Sequence, residues 1–232
     1  MTDPHTAPAA TSPPAVVVLD VNETLSDMAP LAGRFEELGA SPLLAATWFA
    51  ALLRDGFART VAGESERFAV LAESGLRVVL HGVALDRPVN DAVAHVLDGF
   101  AALSCHPDVP AGVRALTARG LRLVTMSNGA AAVAEKLLGD AGLRGEFESV
   151  LTVEDAGVWK PHPGSYGYVE RVCGVAARDL LMVAVHPWDL DGAARAGLRT
   201  AWIDRTGAPY PVYCRPPDYV VPSLDLLADA LD

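Results

Sequence analysis

The chain has 232 residues, 51% of them hydrophobic, and a formal net charge of −11. This length allows one core, or one core that carries an inserted lobe, and the composition is that of a folded globular protein rather than a disordered one. The negative charge argues against a nucleic-acid partner, because phosphate binding requires clustered Lys and Arg side chains.

The first 14 residues are rich in Pro, Ala and Thr and lack the basic start and apolar stretch of a secretory signal, so we predict a disordered tail for residues 1–14. No apolar run of the sequence is long enough to span a bilayer, and we predict no membrane partner. The three cysteines, Cys105, Cys173 and Cys214, form neither a disulfide framework nor a zinc pattern. These features favour a cytoplasmic protein.

Short apolar runs alternate with segments of helical spacing along most of the chain. Continuous, β-branched apolar character is typical of strands that are buried on both faces of a parallel sheet. The predicted strands are residues 15–19, 121–126, 149–153, 180–185 and 200–203, and the predicted helices are residues 109–119, 130–138, 163–173 and 190–196. The alternation predicts an α/β fold with an open parallel sheet and right-handed crossovers.

One stretch, from about residue 30 to residue 103, breaks this alternation and is helical in pattern almost throughout. Its apolar stripe consists of Leu43, Leu44, Trp48, Leu52 and Leu53. We predict a core domain formed by residues 15–28 and 104–232, with a helical cap domain of residues 29–103 inserted after the first strand. Ligands of open α/β sheets bind at the carboxyl ends of the strands, so such a cap would cover the site and exclude water.

Reactive side chains occur at four places in the predicted core. The segments are residues 20–25 (DVNETL), 126–129 (MSNG), 159–161 (WKP) and 186–189 (HPWD). In chain order, an acid follows the first strand, a hydroxyl follows the second, a lysine precedes a later helix, and a polar cluster follows another strand. Because the carboxyl ends of parallel strands meet at one edge, this order predicts a single site there.

This ordered set resembles the haloacid dehalogenase (HAD) superfamily, and within it the L-2-haloacid dehalogenase (type II) branch. The resemblance covers nearly the whole chain, from the Asp20 loop through the cap to residues 197–207 and 217–219. It implies a HAD-like Rossmannoid parallel sheet with a helical cap, and hydrolytic dehalogenation of short L-2-haloacids to 2-hydroxyacids. It also implies a small-molecule 2-haloacid and halide as partners, and a homodimer.

The resemblance implies a role for each matching residue. Asp20 attacks C2 of the 2-haloacid, expels halide and forms an aspartyl ester, which is hydrolysed at the Asp20 carboxyl carbon with inversion at C2. Lys160 holds Asp20 ionised and helps to place the substrate carboxylate, and Thr24 orients the nucleophile. Ser127 binds that carboxylate together with nearby backbone N–H groups. The expected substrate-binding residues are Val21, Asn22, Phe49, Ser127, Asn128, Tyr166, Trp188 and Asp189.

Two positions argue against a metal ion. Phosphatases of the superfamily carry Asp-x-Asp at the first loop and an acidic metal ligand after the fourth strand, and the matching residues here are Asn22 and Val185. Mg²⁺ prefers carboxylate oxygens in near-octahedral geometry, and only Asp20 and Asp189 remain to supply them. We therefore predict no metal and no cofactor.

The sequence departs from the better-known dehalogenase pattern in two places. The cap arginine of that pattern aligns with Phe49, and Arg54 and Arg59 are the candidates to replace it. The Ser-x-Asn that positions the hydrolytic water is replaced by residues 184–186 (AVH).

The second departure suggests a different general base. The first and fourth strands are neighbours in this topology, so Glu23 and His186 are expected to meet, and a carboxylate that orients an imidazole is a plausible base for water. A sub-branch of type II dehalogenases that begins with Asp-Val-Asn-Glu-Thr resembles this arrangement. We predict that Glu23 and His186 activate the water that hydrolyses the ester.

Two other functions stay open at this point: a HAD-type phosphatase with an atypical metal site, and a catalytically inactive HAD-fold binding protein. Single residues also have simpler interpretations. Glu23 would suit the first turn of a helix, His186 would suit a packed loop, and Ser127 and Asn128 would suit a turn and an N-cap.

Overall fold

The computed structural model describes residues 13–232. The predicted disordered tail therefore lies outside the described residues, apart from Pro13 and Pro14. The first contact of the described chain with the rest of the fold comes just before β1, where the backbone N–H of Ala15 donates to the carbonyl of Asp179 over 2.8 Å.

The centre of the protein is a six-stranded sheet in which every neighbouring pair of strands is parallel. In chain order the strands are β1 (Val16–Leu19), β2 (Arg122–Ser127), β3 (Ser149–Thr152), β4 (Leu180–Ala184), β5 (Arg199–Ile203) and β6 (Tyr219–Val221). The spatial order is β3-β2-β1-β4-β5-β6. Because β1 pairs with both β2 and β4, the loops that follow these three strands lie side by side at the carboxyl edge.

Helices connect the strands and cover both faces of the sheet. They are α1 (Leu31–Glu36), α2 (Leu43–Val61), α3 (Phe68–Val79), α4 (Val89–Ala101), α5 (Val109–Ala118), α6 (Ala131–Asp140), α7 (Val153–Ala156), α8 (Pro163–Cys173), α9 (Pro187–Arg195) and α10 (Leu227–Ala230). Within residues 13–232, no helix combines the length and the apolar character that crossing a membrane requires.

The predicted α/β fold is confirmed, and the five predicted strands correspond to β1–β5. The edge strand β6 was missed, because it has three residues and one of them, Val220, is exposed. The short helix α7, which begins directly after β3 at Val153, was missed as well.

Helices α1–α4 form the segment inserted after β1, and none of residues 30–103, all of which the structure describes, lies in a strand. The chain leaves and re-enters the core at one place: Asp27 N–H donates to Ser104 O over 2.8 Å, and His106 N–H donates to Leu25 O over 2.9 Å. We keep the name cap for residues 29–103; the division into two domains stays a prediction.

The expected apolar stripe of the cap is only partly buried. Trp48 and Leu52 are buried, whereas the side chain of Leu43 is 76% exposed at the first residue of α2. Leu43 instead lines the cavity between α2 and the core.

Each face of the sheet has its own apolar core. In β1, Val16 and Val18 pack into a core that extends into the cap and includes Trp48, whereas Val17 and Leu19 pack on the opposite face. Alternate residues of a strand face opposite sides, so a strand covered on both faces is apolar at every position. This explains why β1 reads as a continuous apolar run and why Asp20 follows it directly.

One core residue is inserted into the cap. The indole Nε1 of Trp159 donates to the carbonyl of Glu66 over 2.9 Å, and its backbone N–H donates to Thr60 Oγ1 over 3.2 Å. A Cβ added at Gly56 would lie 2.4 Å from the indole ring, so only glycine allows this close approach of α2. Because Lys160 follows Trp159 directly in the sequence, this contact between core and cap lies next to Lys160.

Candidate active site

The loop after β1 places Asp20 at the carboxyl edge of the sheet, where only 3% of the residue's surface is exposed. Its backbone N–H donates to Val183 O over 3.0 Å, which fixes the loop against β4. The hydroxyl of Thr24 donates to Asp20 Oδ2 over 2.7 Å and accepts from the N–H of Val185 over 3.1 Å. Thr24 thus lies where the sequence placed it, against the carboxylate that it was predicted to orient.

One oxygen of Asp20, Oδ1, faces a buried lysine. Lys160 Nζ lies 2.9 Å from Asp20 Oδ1 and 2.6 Å from Asp189 Oδ2, and Lys160 and Asp189 are fully buried. Tyr166 donates to Asp189 Oδ1 over 2.7 Å. Burial opposes a charged lysine, but the Asp189 and Asp20 carboxylates outweigh it and raise the pKa of Lys160. We call Lys160, Asp189 and Tyr166 the sealed side of Asp20.

The other oxygen, Oδ2, faces a histidine. His186 Nδ1 lies 3.0 Å from Asp20 Oδ2, and its Nε2 lies 2.8 Å from Glu23 Oε2. The side chain of Glu23 is 45% exposed and that of His186 is 12% exposed. We call His186 and Glu23 the open side of Asp20. The expected meeting of Glu23 and His186 is present, but the direct contact of His186 with Asp20 was not predicted.

These contacts set the charge of both groups. Burial acts against an ionised Asp20, yet the charge of Lys160 and the hydrogen bond from His186 hold its pKa well below its usual range. Burial also acts against a charged His186, yet its hydrogen bonds to Asp20 and Glu23 raise its pKa to about 9. At neutral pH the site therefore holds an Asp20 carboxylate beside a protonated His186.

Glu23 has an unusual backbone conformation. Its φ is 62°, and it is the one non-glycine residue among residues 13–232 with a positive φ. The turn is fixed by a hydrogen bond from its N–H to Ser26 Oγ over 3.3 Å, and its carbonyl lies 3.0 Å from His106 Nε2. The left-handed region is costly for a residue with a Cβ, so the surrounding loop holds Glu23 in place.

The carboxyl end of β2 brings Ser127 beside Asn22. Ser127 Oγ accepts from the N–H of Gly129 over 2.9 Å, and a Cβ on Gly129 would lie 3.2 Å from both Ser127 Oγ and Asn22 Nδ2. The side chain of Asn128 is engaged with the backbone of Lys160: Nδ2 donates to the lysine carbonyl over 3.3 Å, and Oδ1 accepts from its N–H over 3.0 Å. Asn128 thus positions the lysine loop, and α6 begins after Ala130, so Asn128 is not its N-cap.

A cavity of about 660 Å³ lies between the cap and the core. Glu23, His186 and Phe49 are among the residues that line it, so Phe49 lies where a pocket wall was expected. Trp188 lies behind the histidine, with its ring centroid 5.0 Å from that of His186 and 4.9 Å from that of Phe57.

One expectation needs correction, and two others stay predictions. Tyr166 and Asp189, predicted to bind substrate, are fully buried: Tyr166 donates to Asp189, and Asp189 contacts Lys160. Lys160 is fully buried between two carboxylates, and its placing of a substrate carboxylate stays a prediction. Arg54 and Arg59, proposed as replacements for the cap arginine, are exposed and paired with Asp55 and Glu64, away from the cavity.

Arg205 is a site residue that the sequence reasoning missed. It lines the cavity, its Nη2 donates to Thr24 O over 2.9 Å, and its Nη1 lies 2.9 Å from Asp108 Oδ1. It therefore braces the loop that carries the nucleophile. Its position within residues 197–207, which the resemblance covered, was the available signal.

The residues at this edge do not fit a magnesium ion. Asn22 supplies no charged oxygen, Val185 supplies no side-chain oxygen at all, and the cation between Asp20 and Asp189 is Lys160. Within residues 13–232 no group of three or more His, Cys, Asp or Glu side chains is arranged to hold a metal. The predicted absence of a metal thus stays a prediction, with a site chemistry that suits it.

The six-stranded parallel sheet, the helices inserted after its first strand and the carboxylate–lysine cluster at its carboxyl edge together define a hydrolase with a Rossmann-like core. A sequence model of the family described as haloacid dehalogenase-like hydrolase matches residues 14–197, and the chain belongs to this family.

Sequence relatives and solved structures agree with this assignment over almost the whole chain. Haloacetate dehalogenase H-2 of Moraxella sp. (strain B) is 28% identical over 213 residues, covering 91% of this chain and 95% of the relative. The (S)-2-haloacid dehalogenase of Pseudomonas sp. (strain YL) is 28% identical over 218 residues, covering 93% of this chain and 94% of the relative. The structure of L-2-haloacid dehalogenase from Xanthobacter autotrophicus superposes with a TM-score of 0.85 and 26% identity, covering 94% of this chain and 98% of that one. The same enzyme has been solved with chloropropionic acid covalently bound.

Proposed function

We propose that this protein hydrolyses the carbon–halogen bond of L-2-haloacids, giving 2-hydroxyacids through an ester on Asp20, without a metal. The observation that carries the proposal is that the two carboxylate oxygens of Asp20 have different partners. Lys160 lies 2.9 Å from Oδ1, and His186 lies 3.0 Å from Oδ2. The names of the similar enzymes, which act on haloacetate and (S)-2-haloacids, support the same reaction class.

In the first step, a carboxylate oxygen of Asp20 attacks C2 of the substrate. The new C–O bond forms as the carbon–halogen bond breaks, and the halogen leaves as halide with the bonding electron pair. Lys160 serves this step by keeping Asp20 ionised in a buried position. Ser127, Asn22 and the backbone at Val21 form the polar surface that takes the substrate carboxylate.

Ester formation changes the charge that His186 experiences. Once Asp20 is esterified, its negative charge is lost, and one of the two carboxylates that raise the pKa of His186 disappears. The histidine then releases its proton to solvent and becomes able to act as a base, with Glu23 holding Nε2. The base is therefore generated only after the first step is complete.

In the second step, His186 takes a proton from water as the water oxygen attacks the Asp20 carboxyl carbon. The bond from that carbon to the substrate oxygen breaks, and the leaving alkoxide takes the proton from His186 to give the 2-hydroxyacid. Asp20 returns its remaining proton to His186. The cycle consumes one water and releases one halide and one proton.

We propose that residues 29–103 act as a cap domain over a core of residues 15–28 and 104–232, that the protein works in the cytoplasm, and that it is a homodimer. Phe49 and Trp188 would form apolar walls beside His186. A phosphatase with an atypical metal site fits less well, because Asn22 and Val185 lie at the positions where that class carries acidic metal ligands.

The proposal is tested by halide release from L-2-chloropropionate and L-2-bromopropionate in EDTA. The wild-type protein is expected to release halide, and Asp20→Asn is expected to lose about 10⁴-fold or more of the rate. Phosphate-ester cleavage that requires Mg²⁺, with no halide release, would support the phosphatase instead. Binding without any turnover would support a non-catalytic protein.

The His186 step has its own test. His186→Asn should release about one halide per protein molecule and then stall, with the intact-protein mass raised by the acid adduct on Asp20. His81→Asn is the matched control, because His81 is exposed on the cap. Turnover of His186→Asn at the wild-type rate would remove histidine from the mechanism.

A further inference from the structure

Three consecutive carbonyls of the loop after β1 accept hydrogen bonds from two segments outside this loop. His106 Nε2 lies 3.0 Å from Glu23 O, and the backbone N–H of His106 donates to Leu25 O over 2.9 Å. Between these two contacts, Thr24 O accepts from Arg205 Nη2 over 2.9 Å. We call His106 and Arg205 the clamp. It fixes the backbone of the loop whose side chains meet Asp20 and His186.

Asp108 joins the two residues of the clamp, since it follows His106 by two positions and pairs with Arg205. Asp108 Oδ1 lies 2.9 Å from Arg205 Nη1, and Oδ2 accepts from the N–H of Leu224 over 2.7 Å. Burial acts against an ionised Asp108, but the hydrogen bonds from Arg205 and Leu224 outweigh it and lower its pKa. The clamp is therefore tied to the core through a charged pair that is largely shielded from solvent.

The imidazole of His106 is the donor in its contact with Glu23, because a carbonyl oxygen only accepts. The neutral ring with a proton on Nε2 and the imidazolium both present this donor. The contact thus needs an N–H group at this reach and not a particular charge. A glutamine amide supplies such a group, whereas an apolar side chain does not.

Glu23 depends on backbone contacts for its orientation. Its φ of 62° lies in the left-handed region, which is unfavourable for a residue with a Cβ. Its carbonyl contacts His106 and its N–H donates to Ser26 Oγ over 3.3 Å, so both of its peptide groups are held. The carboxylate lies 2.8 Å from His186 Nε2, and the side chain is 45% exposed. Because packing restrains such an exposed side chain little, the held backbone directs it towards His186.

We propose that His106 is a positioning residue for ester hydrolysis: it holds the backbone of Glu23 so that the Glu23 carboxylate meets Nε2 of His186. Arg205 supports the same loop one residue further on, at Thr24. This inference rests on the proposed dehalogenase function and adds a residue that acts through Glu23. Without the His106 donor, the loop relaxes, the Glu23 carboxylate turns away, and His186 loses one of its two carboxylate partners.

The first test measures the pKa of His186 by NMR and needs no substrate; His186→Asn identifies the resonance. In the wild-type protein, hydrogen bonds to Asp20 and Glu23 outweigh burial and raise this pKa to about 9. His106→Phe keeps a ring but removes the donor, so it should lower the pKa of His186 in the same direction as Glu23→Gln does, and by no more. His106→Gln keeps an N–H donor and should bring the pKa back towards that of the wild type.

The second test uses single-turnover kinetics with L-2-bromopropionate. His106→Phe should slow ester hydrolysis by about three- to tenfold and leave the rate of halide release close to that of the wild type. The double variant His106→Phe/Glu23→Gln should be no slower than Glu23→Gln alone, because His106 acts through the Glu23 carboxylate. A histidine that only stabilised the fold would instead give effects that multiply.

His81→Phe is the matched control, because His81 is exposed on the cap, and both measurements should remain those of the wild type. His106→Leu removes the same donor with a smaller side chain and takes the place of His106→Phe if that variant does not fold. An unchanged pKa of His186, or rate effects that multiply, would overturn the positioning role and leave the dehalogenase function in place. No halide from the wild-type protein would overturn that function, and the titration of His186 would then decide by itself whether His106 positions Glu23.

Discussion

The two sides of Asp20 differ in their access to solvent, and this difference separates two chemical tasks. On the sealed side, Lys160 and Asp189 are fully buried and joined by short ion pairs. On the open side, His186 borders a cavity and Glu23 is nearly half exposed. A buried ion pair keeps its charges fixed, whereas a histidine near water is able to exchange protons within one catalytic cycle.

The comparison shows that Asp20 is kept ionised by the fixed charge of Lys160 and also controls the titration of His186. Asp20 connects the sides because each of its oxygens belongs to one of them. Variants on the sealed side should therefore mainly change stability, and variants on the open side should mainly change proton transfer.

The largest effect is expected from Lys160→Met. Removing the lysine leaves Asp20 and Asp189 as buried carboxylates without a cation, and we expect the free energy of unfolding to fall by about 3–5 kcal/mol. Urea denaturation at pH 7 measures this. The double variant Lys160→Met/Asp189→Leu, which also removes the second carboxylate, should recover part of the loss. A single variant as stable as the wild type would show that the sealed side is not a structural ion pair.

The next effect is the pH dependence of stability, which we expect to come from His186 on the open side. The pKa of His186 in the folded protein is raised from 6.5 to about 9, so its contacts stabilise the fold fully below pH 6.5 and lose this effect as the pH rises through 9. The wild-type protein should therefore lose stability from pH 6.5 to 9 more steeply than His186→Asn does. Denaturation curves across this range measure the difference, and parallel profiles would contradict it.

A smaller effect is expected where the sealed side meets the cap. Gly56→Ala would place a Cβ 2.4 Å from the Trp159 ring, and the overpacking should destabilise the protein by about 1–3 kcal/mol and shift its tryptophan fluorescence. Gly33→Ala is the matched control, because a Cβ there meets no atom within 4 Å. The control should be neutral or slightly stabilising. Equal behaviour of the two variants would argue against a tight Trp159 contact.

The smallest effect on stability is expected from Glu23→Gln. The side chain is 45% exposed, so the loss of its charge should change the free energy of unfolding by about 1 kcal/mol or less. Ester hydrolysis should slow by about tenfold, well below the 10²–10⁴-fold expected for loss of the base itself. Single-turnover kinetics separate this step from halide release. A slowing as large as that of His186→Asn would mean that Glu23 does more than orient the imidazole.

The sequence carries much of the fold because the buried strands are short and uniform. Helix α8 begins at Pro163 and ends at Cys173, as its proline and the following glycine predict. The edge strand β6 has no such signature, since its residues are partly exposed and pair with only one neighbour. Strand identity was readable where both faces are buried, and not at the edge.

The sequence predicts which residues meet at the site, but not the contacts that their side chains make. Neighbouring strands β1 and β4 predict that Glu23 and His186 come close, yet which nitrogen faces which carboxylate depends on side-chain torsions that no spacing encodes. For the same reason, the sequence does not show that Tyr166 donates to Asp189 and that Asp189 contacts Lys160. The cavity was not predicted either, because its lining comes from segments far apart in the sequence, including the cap and the loops after β1, β4 and β5.

The left-handed backbone of Glu23 sets a conflict between stability and activity at this position. Glycine would adopt a φ of 62° without the cost that a Cβ brings, commonly of the order of 1–2 kcal/mol. Glycine would also remove the carboxylate that holds His186 Nε2. The best residue for the loop and the best residue for the reaction are thus different, and any search for thermostable variants that is blind to turnover should select against this glutamate.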